Sequence, residues 1–320
     1  MFTRNGKKHM VNFKKFIGFL SLFLCVGCFY QDETLFDKGF LESWLEGYSE
    51  DNISAIQKDL TDIRDLTFRK HSSVKLEQPT YLATAGGPGA KKSTVLETLL
   101  NTQAEYESFV YIDPDQRALK FMTNTYISKS LNLYTVSLFE NFREAQKEAY
   151  DKWRNASNYI ANTLLSSAAL GKYNIAHGTT LTGSKVDILL SRIKKLGYKI
   201  VLVLCGAKDS LRQQAIKYRT EVQGFYQTEP QDIISKGLLF PLRMSTYFTY
   251  ADELMLYWSR SIMSPSILGA KIDLTKKKIH ITNKKAYQDF VQKYEIDRDK
   301  FMKKKEKFLK SWVQLTADLH

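Results

Sequence analysis

The apolar and polar positions of this 320-residue chain fall into alternating runs of two periods. Residues 51–70, "DNISAIQKDLTDIRDLTFRK", carry Ile53, Ile56, Leu60, Ile63 and Leu66 at helical spacing, with Asp51 or Asn52 as the N-cap. Four short apolar runs read as buried strands: "YLATA" (81–85), "SFVYI" (108–112), "YNIA" (173–176) and "KIVLVLC" (199–205). Helical patterns separate them: "STVLETLL" after the first, then "FREAQKEAYDKWRNASNYIANTLLSSA" and "SKVDILLSRIKKLG". Strands joined by helical crossovers predict an α/β fold with a mainly parallel sheet covered on both faces. "AKIDLTKKKIHITN" (270–283) predicts two alternating strands around a lysine-rich turn, and Tyr247, Leu254, Tyr257 and Trp258 read as core. The chain closes on a basic amphipathic helix with Tyr287, Phe290, Val291, Tyr294, Phe301, Phe308 and Trp312 on one packing stripe.

Composition narrows the class. With 43% hydrophobic residues and only six scattered prolines, the chain can bury a full core, and no internal repeat is visible. The net charge of +13 sits at the ends: residues 1–28 hold five basic and no acidic groups, and residues 271–320 hold 14 basic against 7 acidic. A nearly neutral middle argues against a specific nucleic-acid-binding core. Lys14 and Lys15 precede an apolar run from Phe16 to Tyr30, shorter than the ~20 residues needed to cross a membrane as a helix. A basic n-region and a short h-region describe a secretory signal. The following "CVGC" resembles the lipobox of bacterial lipoproteins, with Cys28 as the lipidated residue and Cys25 where an aliphatic side chain is usual. Residues 1–28 are therefore expected to be a signal or short anchor. The protein would be membrane-associated, lipoprotein-like or exported, reaching the membrane through an N-terminal lipid or anchor. Cys205 is then alone in the body of the chain, which leaves no disulfide framework or cysteine metal cluster.

The stretch with chemistry is "AGGPGAKKST" (85–94). A P-loop gathers backbone N–H groups, a helix N-terminus and one lysine on phosphate oxygens, while a Ser or Thr hydroxyl reaches Mg2+. Gly86 to Ser93 fits G-x-x-x-x-G-K-[ST] except at Lys91, which stands where the last glycine belongs. A lysine there can take the left-handed conformation, and its ammonium, pointed outward, could add an attractive charge to a triphosphate. A strand-like run before the loop and a helix-like run after it supply the required context.

The order of features resembles the zeta toxin family of P-loop kinases. Its loop is followed by a strand ending in "IDxD", here "VYIDPDQR", which puts Asp115 in the place of the catalytic base with Asp113 beside it. Further on, "YNIAHGTTLTGSKVDILLSRIKKLGYKIVLVLCGAKDSLRQQAIKYR" aligns Thr179 with the family's threonine, Gly197 and Tyr198 with its turn, and Arg219 with its phosphate-contacting arginine. His177 replaces the glutamate of "EGT"; Asn158 is a loose counterpart of an earlier helix glutamate, and Lys236 or Arg243 stands in for a second arginine. Read on their own, these residues also admit plainer roles: aspartates around a proline cap turns, and a histidine at a strand end can be core.

The resemblance implies a three-layer P-loop kinase fold over residues 77–285, with an N-terminal helical extension (29–76) and a C-terminal basic helix (286–320). It implies ATP and Mg2+ as cofactors and a small hydroxyl-bearing acceptor such as UDP-N-acetylglucosamine. Gly86, Gly87, Pro88, Gly89, Ala90, Lys91, Lys92, Ser93, Thr94 and Arg219 would bind nucleotide, with Ser93 on the metal. Asp115, Lys92 and Arg219 would carry catalysis, and Asp113, His177 and Thr179 would touch the acceptor. A non-catalytic nucleotide-binding or lipoprotein scaffold on the same fold is the alternative.

Overall fold

The structure, a computed structural model, describes residues 35–69, 71, 76–129, 142–229 and 232–317, with backbone alone for residue 142 and beyond residue 303. The signal-like segment with Cys25 and Cys28, and the Phe308 and Trp312 side chains, lie outside the described part. The described residues belong to one compact unit, Thr34–His320.

Seven strands form one sheet: β1 (Thr80–Ala85), β2 (Val110–Ile112), β3 (Ile175–His177), β4 (Lys199–Ala207), β5 (Glu253–Ser259), β6 (Ile267–Asp273) and β7 (Lys278–Ile281). Their order is β2-β3-β1-β4-β5-β6-β7. The first five are parallel, with Ala83 beside His177 and Ala85 beside Leu204, and β6 and β7 return antiparallel. The two alternating strands expected around the lysine-rich turn are β6 and β7. β5 is a strand that the apolar pattern left as unassigned core. It lies between β4 and β6, burying Leu254, Leu256 and Trp258 on one face and Met255 and Tyr257 on the other. A run buried on both faces loses its period-2 signature.

Helices cover both faces. α2 (Glu50–Phe68), α4 (Phe142–Leu170) and α5 (Val186–Lys195) pack with Tyr81, Ala83, Ile112, Ile175, Ile200 and Leu202. α3 (Lys92–Thr102) packs on the opposite face through Val95, Leu96 and Leu99, against Leu82, Tyr111, Val201 and Cys205. Ser49, rather than Asp51 or Asn52, caps α2: its side chain accepts from the Asn52 N–H, so the cap lies two or three residues earlier than expected. Leu66, expected on the buried stripe of α2, is 53% exposed. The short α1 (Lys38–Ser43) precedes α2, α6 (Asp209–Glu221) follows β4, the short α7 (Asp232–Gly237) and α8 (Met244–Tyr250) lead to β5, and α9 (Lys284–Ala317) lies along β4, β5 and β6. Among the described residues no helix is long and apolar enough to cross a membrane.

Candidate active site

The carboxyl ends of β1 to β4 meet where the strand order reverses about β1, the position at which open parallel sheets bind ligands. The 85–94 loop leaves β1 there. Gly89 has φ +75°, and a Cβ on it would collide with the backbone of Arg212, so this turn needs glycine both for conformation and for space. Lys91 is left-handed at φ 60°, ψ 27°, at a cost of about 1 to 2 kcal/mol relative to glycine. Its ammonium, expected to point outward and add its charge to a triphosphate, is instead taken up by carbonyls of the β5–β6 connection.

α3 begins at Lys92 with no side-chain cap and no acidic residue in its first turn. Its leading amides and the positive end of its dipole are thus offered to an anion. Ser93 and Thr94 stand in that turn, Ser93 half-buried and Thr94 exposed. Lys92 folds back over the loop, its Nζ donating to the Gly87 carbonyl at 3.0 Å. Burial, reinforced by the Arg219 and Arg212 charges, pushes this amine down to about 8. Behind it, burial drives the Cys205 thiol up to about 12, which keeps it a neutral packing group.

Arg212, on α6, braces the loop from outside. Only 4% exposed, it donates through Nε to the Pro88 carbonyl (2.8 Å), through Nη2 to the Ile233 carbonyl (2.7 Å) and through Nη1 to Asp209 (3.0 Å). Its guanidinium fills the space that a side chain on Gly87 would need.

The "IDPD" segment forms the facing wall. Asp113 is buried: Oδ1 accepts from the Asp115 and Gln116 N–H groups (2.8 Å each), and Oδ2 accepts from the Tyr111 hydroxyl at 3.3 Å. Burial first, then the Asp115 charge, raises its carboxyl to about 6. Gly178 has no side chain where this carboxylate sits. Asp115 is more accessible, and both its oxygens are engaged. Arg154 of α4 donates to Oδ1 and Gln227 donates to Oδ2, while the Gln227 carbonyl accepts from Arg219. A line of hydrogen bonds therefore runs Arg154–Asp115–Gln227–Arg219: Gln227 joins the two residues that the sequence singled out, and Arg154 extends the line beyond Asp115.

The family model for zeta toxin matches residues 64–236, more than half of the chain. This protein belongs to the zeta toxin family. A solved structure from the PezAT chromosomal toxin–antitoxin system of the human pathogen Streptococcus pneumoniae is similar at 14% identity, covering 80% of this chain and 99% of that one, with TM-score 0.50. The AvrRxo1-ORF1:AvrRxo1-ORF2 complex with sulphate ions is similar at 12% identity over 82% and 79% of the two chains, TM-score 0.53. The same pair solved with ATP gives 13% identity, 83% and 79% coverage and TM-score 0.52. At these identities the likeness establishes the fold. A search of curated proteins finds no match.

Within the zeta toxin family's motif order, the acceptor-side residues take inward places. His177 is 7% exposed, and its Nδ1 shares a 2.6 Å hydrogen bond with the Tyr81 hydroxyl. Burial lowers this imidazole to about 4, so it is neutral at ordinary pH. Thr179 staples β3 to β1: its N–H donates to Thr84 Oγ1 at 3.0 Å, and its carbonyl accepts from the same hydroxyl at 2.7 Å. Its own Oγ1 accepts from the Leu181 N–H at 3.2 Å. Lys236 donates to Thr228 (2.5 Å) and Arg243 to the Thr182 carbonyl (3.4 Å). Among the described residues no cluster of three or more His, Cys, Asp or Glu could hold a metal.

Arg154, Gln227 and Arg212 escaped sequence reasoning. Arg154 carried one signal, an arginine beside Trp153 and Ala156 on the buried stripe of α4, where a cation needs a partner. Gln227 and Arg212 carried none.

Proposed function

We propose that this zeta toxin family member is a P-loop kinase that transfers the γ-phosphate of ATP to a hydroxyl of a small acceptor. The observation that carries the reading is the Arg154–Asp115–Gln227–Arg219 line, ending beside Lys92 and the uncapped start of α3. It sets a carboxylate and three cations around the same end of the sheet, as phosphoryl transfer requires. The likeness to a complex solved with ATP supports the nucleotide. A cleft of about 470 Å³ at the carboxyl ends of β4 and β5, walled by Lys208, Leu211, Gln214, Trp258 and Arg260, offers the base a place.

The residues present fit the group. Uncapped amides, Lys92 and Arg219 suit a polyphosphate, and the Ser93 hydroxyl would hold Mg2+, with Thr94 as the neighbouring alternative. ATP, when bound, supplies the phosphoryl group and brings the metal. Lys92 and Arg219 hold the negative charge of the phosphate oxygens. Asp115 would exchange one of its present partners for the acceptor hydroxyl and take its proton, while the γ-phosphoryl group would pass to that oxygen and ADP would depart. Asp113 keeps the Asp115 turn in shape rather than touching the acceptor, and His177 acts from within the core.

A nucleotide sugar resembling UDP-N-acetylglucosamine is the acceptor that the family suggests. A non-catalytic nucleotide-binding scaffold is the second reading, favoured by the engagement of both Asp115 oxygens. Transfer of labelled γ-phosphate to a panel of hydroxyl acceptors separates them. Asp115→Asn is expected to bind Mg-ATP as wild type does and to lose transfer by about a hundredfold or more. Transfer retained by that variant would remove Asp115 as the base. Wild-type binding without transfer to any acceptor would favour the scaffold.

A further inference from the structure

Lys91 interrupts the phosphate-loop pattern, and its side chain has a destination 170 residues away in sequence. Nζ donates to the carbonyls of Ser261 (3.3 Å), Ile262 (2.9 Å) and Ser264 (2.6 Å). Three carbonyls use all three donors of an ammonium. No carboxylate among the described residues forms an ion pair with it, so the cation is held by backbone alone.

Those carbonyls belong to the connection from β5 to β6. The base of this connection is closed by a 2.7 Å hydrogen bond between the Ser259 and Ser266 hydroxyls, while Met263 at its tip is 79% exposed. Beyond Lys91, the only other hydrogen bond at the tip among the described residues is local, from the Met263 N–H to Ser261 Oγ at 3.2 Å. The connection opens with Arg260, which walls the 470 Å³ cleft and reaches Asp289 of α9 at 3.3 Å. One side chain of the phosphate loop thus holds the segment that begins as a wall of the neighbouring cleft.

We infer that Lys91 is a positioning residue that clasps the β5–β6 connection to the phosphate loop and so fixes the wall against which a nucleotide base binds. The inference rests on the nucleotide reading of the site. Its ammonium is already engaged and directed away from the loop's hollow, so it acts on the base end of a ligand and not on the phosphates.

Glycine at this position relieves the left-handed backbone, so Lys91→Gly removes the clasp without endangering the fold. The test uses the full-length chain with two probes, Mg-ATP and Mg-tripolyphosphate, titrated calorimetrically. Lys91→Gly is expected to weaken ATP by about tenfold, the loss of one charged hydrogen-bonding group, and to leave tripolyphosphate unweakened. Lys91→Arg, which keeps the donors, is expected to restore most of the ATP affinity. Amide hydrogen exchange over residues 261–266 should rise in Lys91→Gly and return toward wild type in Lys91→Arg. Equal losses for both ligands, no loss for either, or unchanged exchange overturns the inference while the nucleotide reading stands. A wild-type chain that binds neither ligand overturns the nucleotide reading and this inference with it.

Discussion

On the phosphate-loop side of the site, cationic side chains hold backbone: Arg212 on the Pro88 and Ile233 carbonyls, Lys91 on three carbonyls, and Lys92 on Gly87. On the acceptor side Asp113 and Thr179 also tie to backbone, but the residues around Asp115 hold one another side chain to side chain, from Arg154 through Asp115 and Gln227 to Arg219, as His177 does with Tyr81. Ties to backbone fix the chain's path, which suits a cradle that must exist before its ligand arrives. Ties between side chains can be exchanged for a substrate without refolding anything. The first arrangement concentrates stability, and the second concentrates function.

Arg212→Met attacks the first arrangement and should have the largest effect. It strips the Pro88 and Ile233 carbonyls of a buried donor, and Asp209 keeps Lys293 at 2.9 Å. A loss of about 3 kcal/mol in unfolding free energy is expected by chemical denaturation, from breaking a buried charged network. Arg154→Met attacks the second, and the contrast should be plain. Its pair with Asp115 is partly exposed, so stability should change by less than about 1 kcal/mol. Transfer should fall by about ten- to a hundredfold as Asp115 loses its support, with Mg-ATP affinity unaltered. A large stability loss in Arg154→Met would erase the distinction between the two sides.

His177 sharpens the comparison through pH. The folded imidazole titrates near 4, below its ordinary 6.5, so between these values the unfolded chain binds a proton that the folded chain does not. Stability from this residue is complete above pH 6.5 and falls as pH drops toward 4, by about 2 kcal/mol between pH 7 and 5. Asp113, raised to about 6, works in the opposite direction over part of that window. The measurement is therefore a difference: thermal unfolding of wild type and His177→Gln at pH 7 and 5, with the variant losing less on acidification. Equal losses would mean that His177 is not buried neutral.

How far this arrangement could be read from sequence depends on the range of the interactions. "YLATA", "SFVYI", "YNIA" and "KIVLVLC" were legible as strands because each is a short apolar run ending at a polar or glycine-rich turn, and the 85–94 loop was legible because its pattern is local. "ELMLYWS" is buried on both faces as "KIVLVLC" is, but it lacks that run's β-branched residues, so it read only as core. Asp115 and Arg219 could be picked out by motif order, but the glutamine that joins them lies in an irregular segment with no pattern of its own. Lys91 shows the limit most clearly. Its left-handed backbone followed from the loop motif, whereas its contact with residues 261–264 depends on where β5 ends, which local spacing does not encode.

The smallest expected effect concerns Lys92 and leads to the decisive one. An amine titrating near 8 is charged at pH 7 and mostly neutral at pH 9, so phosphate affinity should weaken by about tenfold over that interval. Calorimetric titration of the full-length chain with Mg-ATP at pH 7, for wild type beside Lys92→Ala, reads the same group at full strength. Saturable binding by wild type and a loss of at least about a hundredfold in Lys92→Ala are expected for a working phosphate cradle. Equal affinities in the two chains, or no binding in either, would mean that residues 85–94 form a glycine-rich turn and not a nucleotide site.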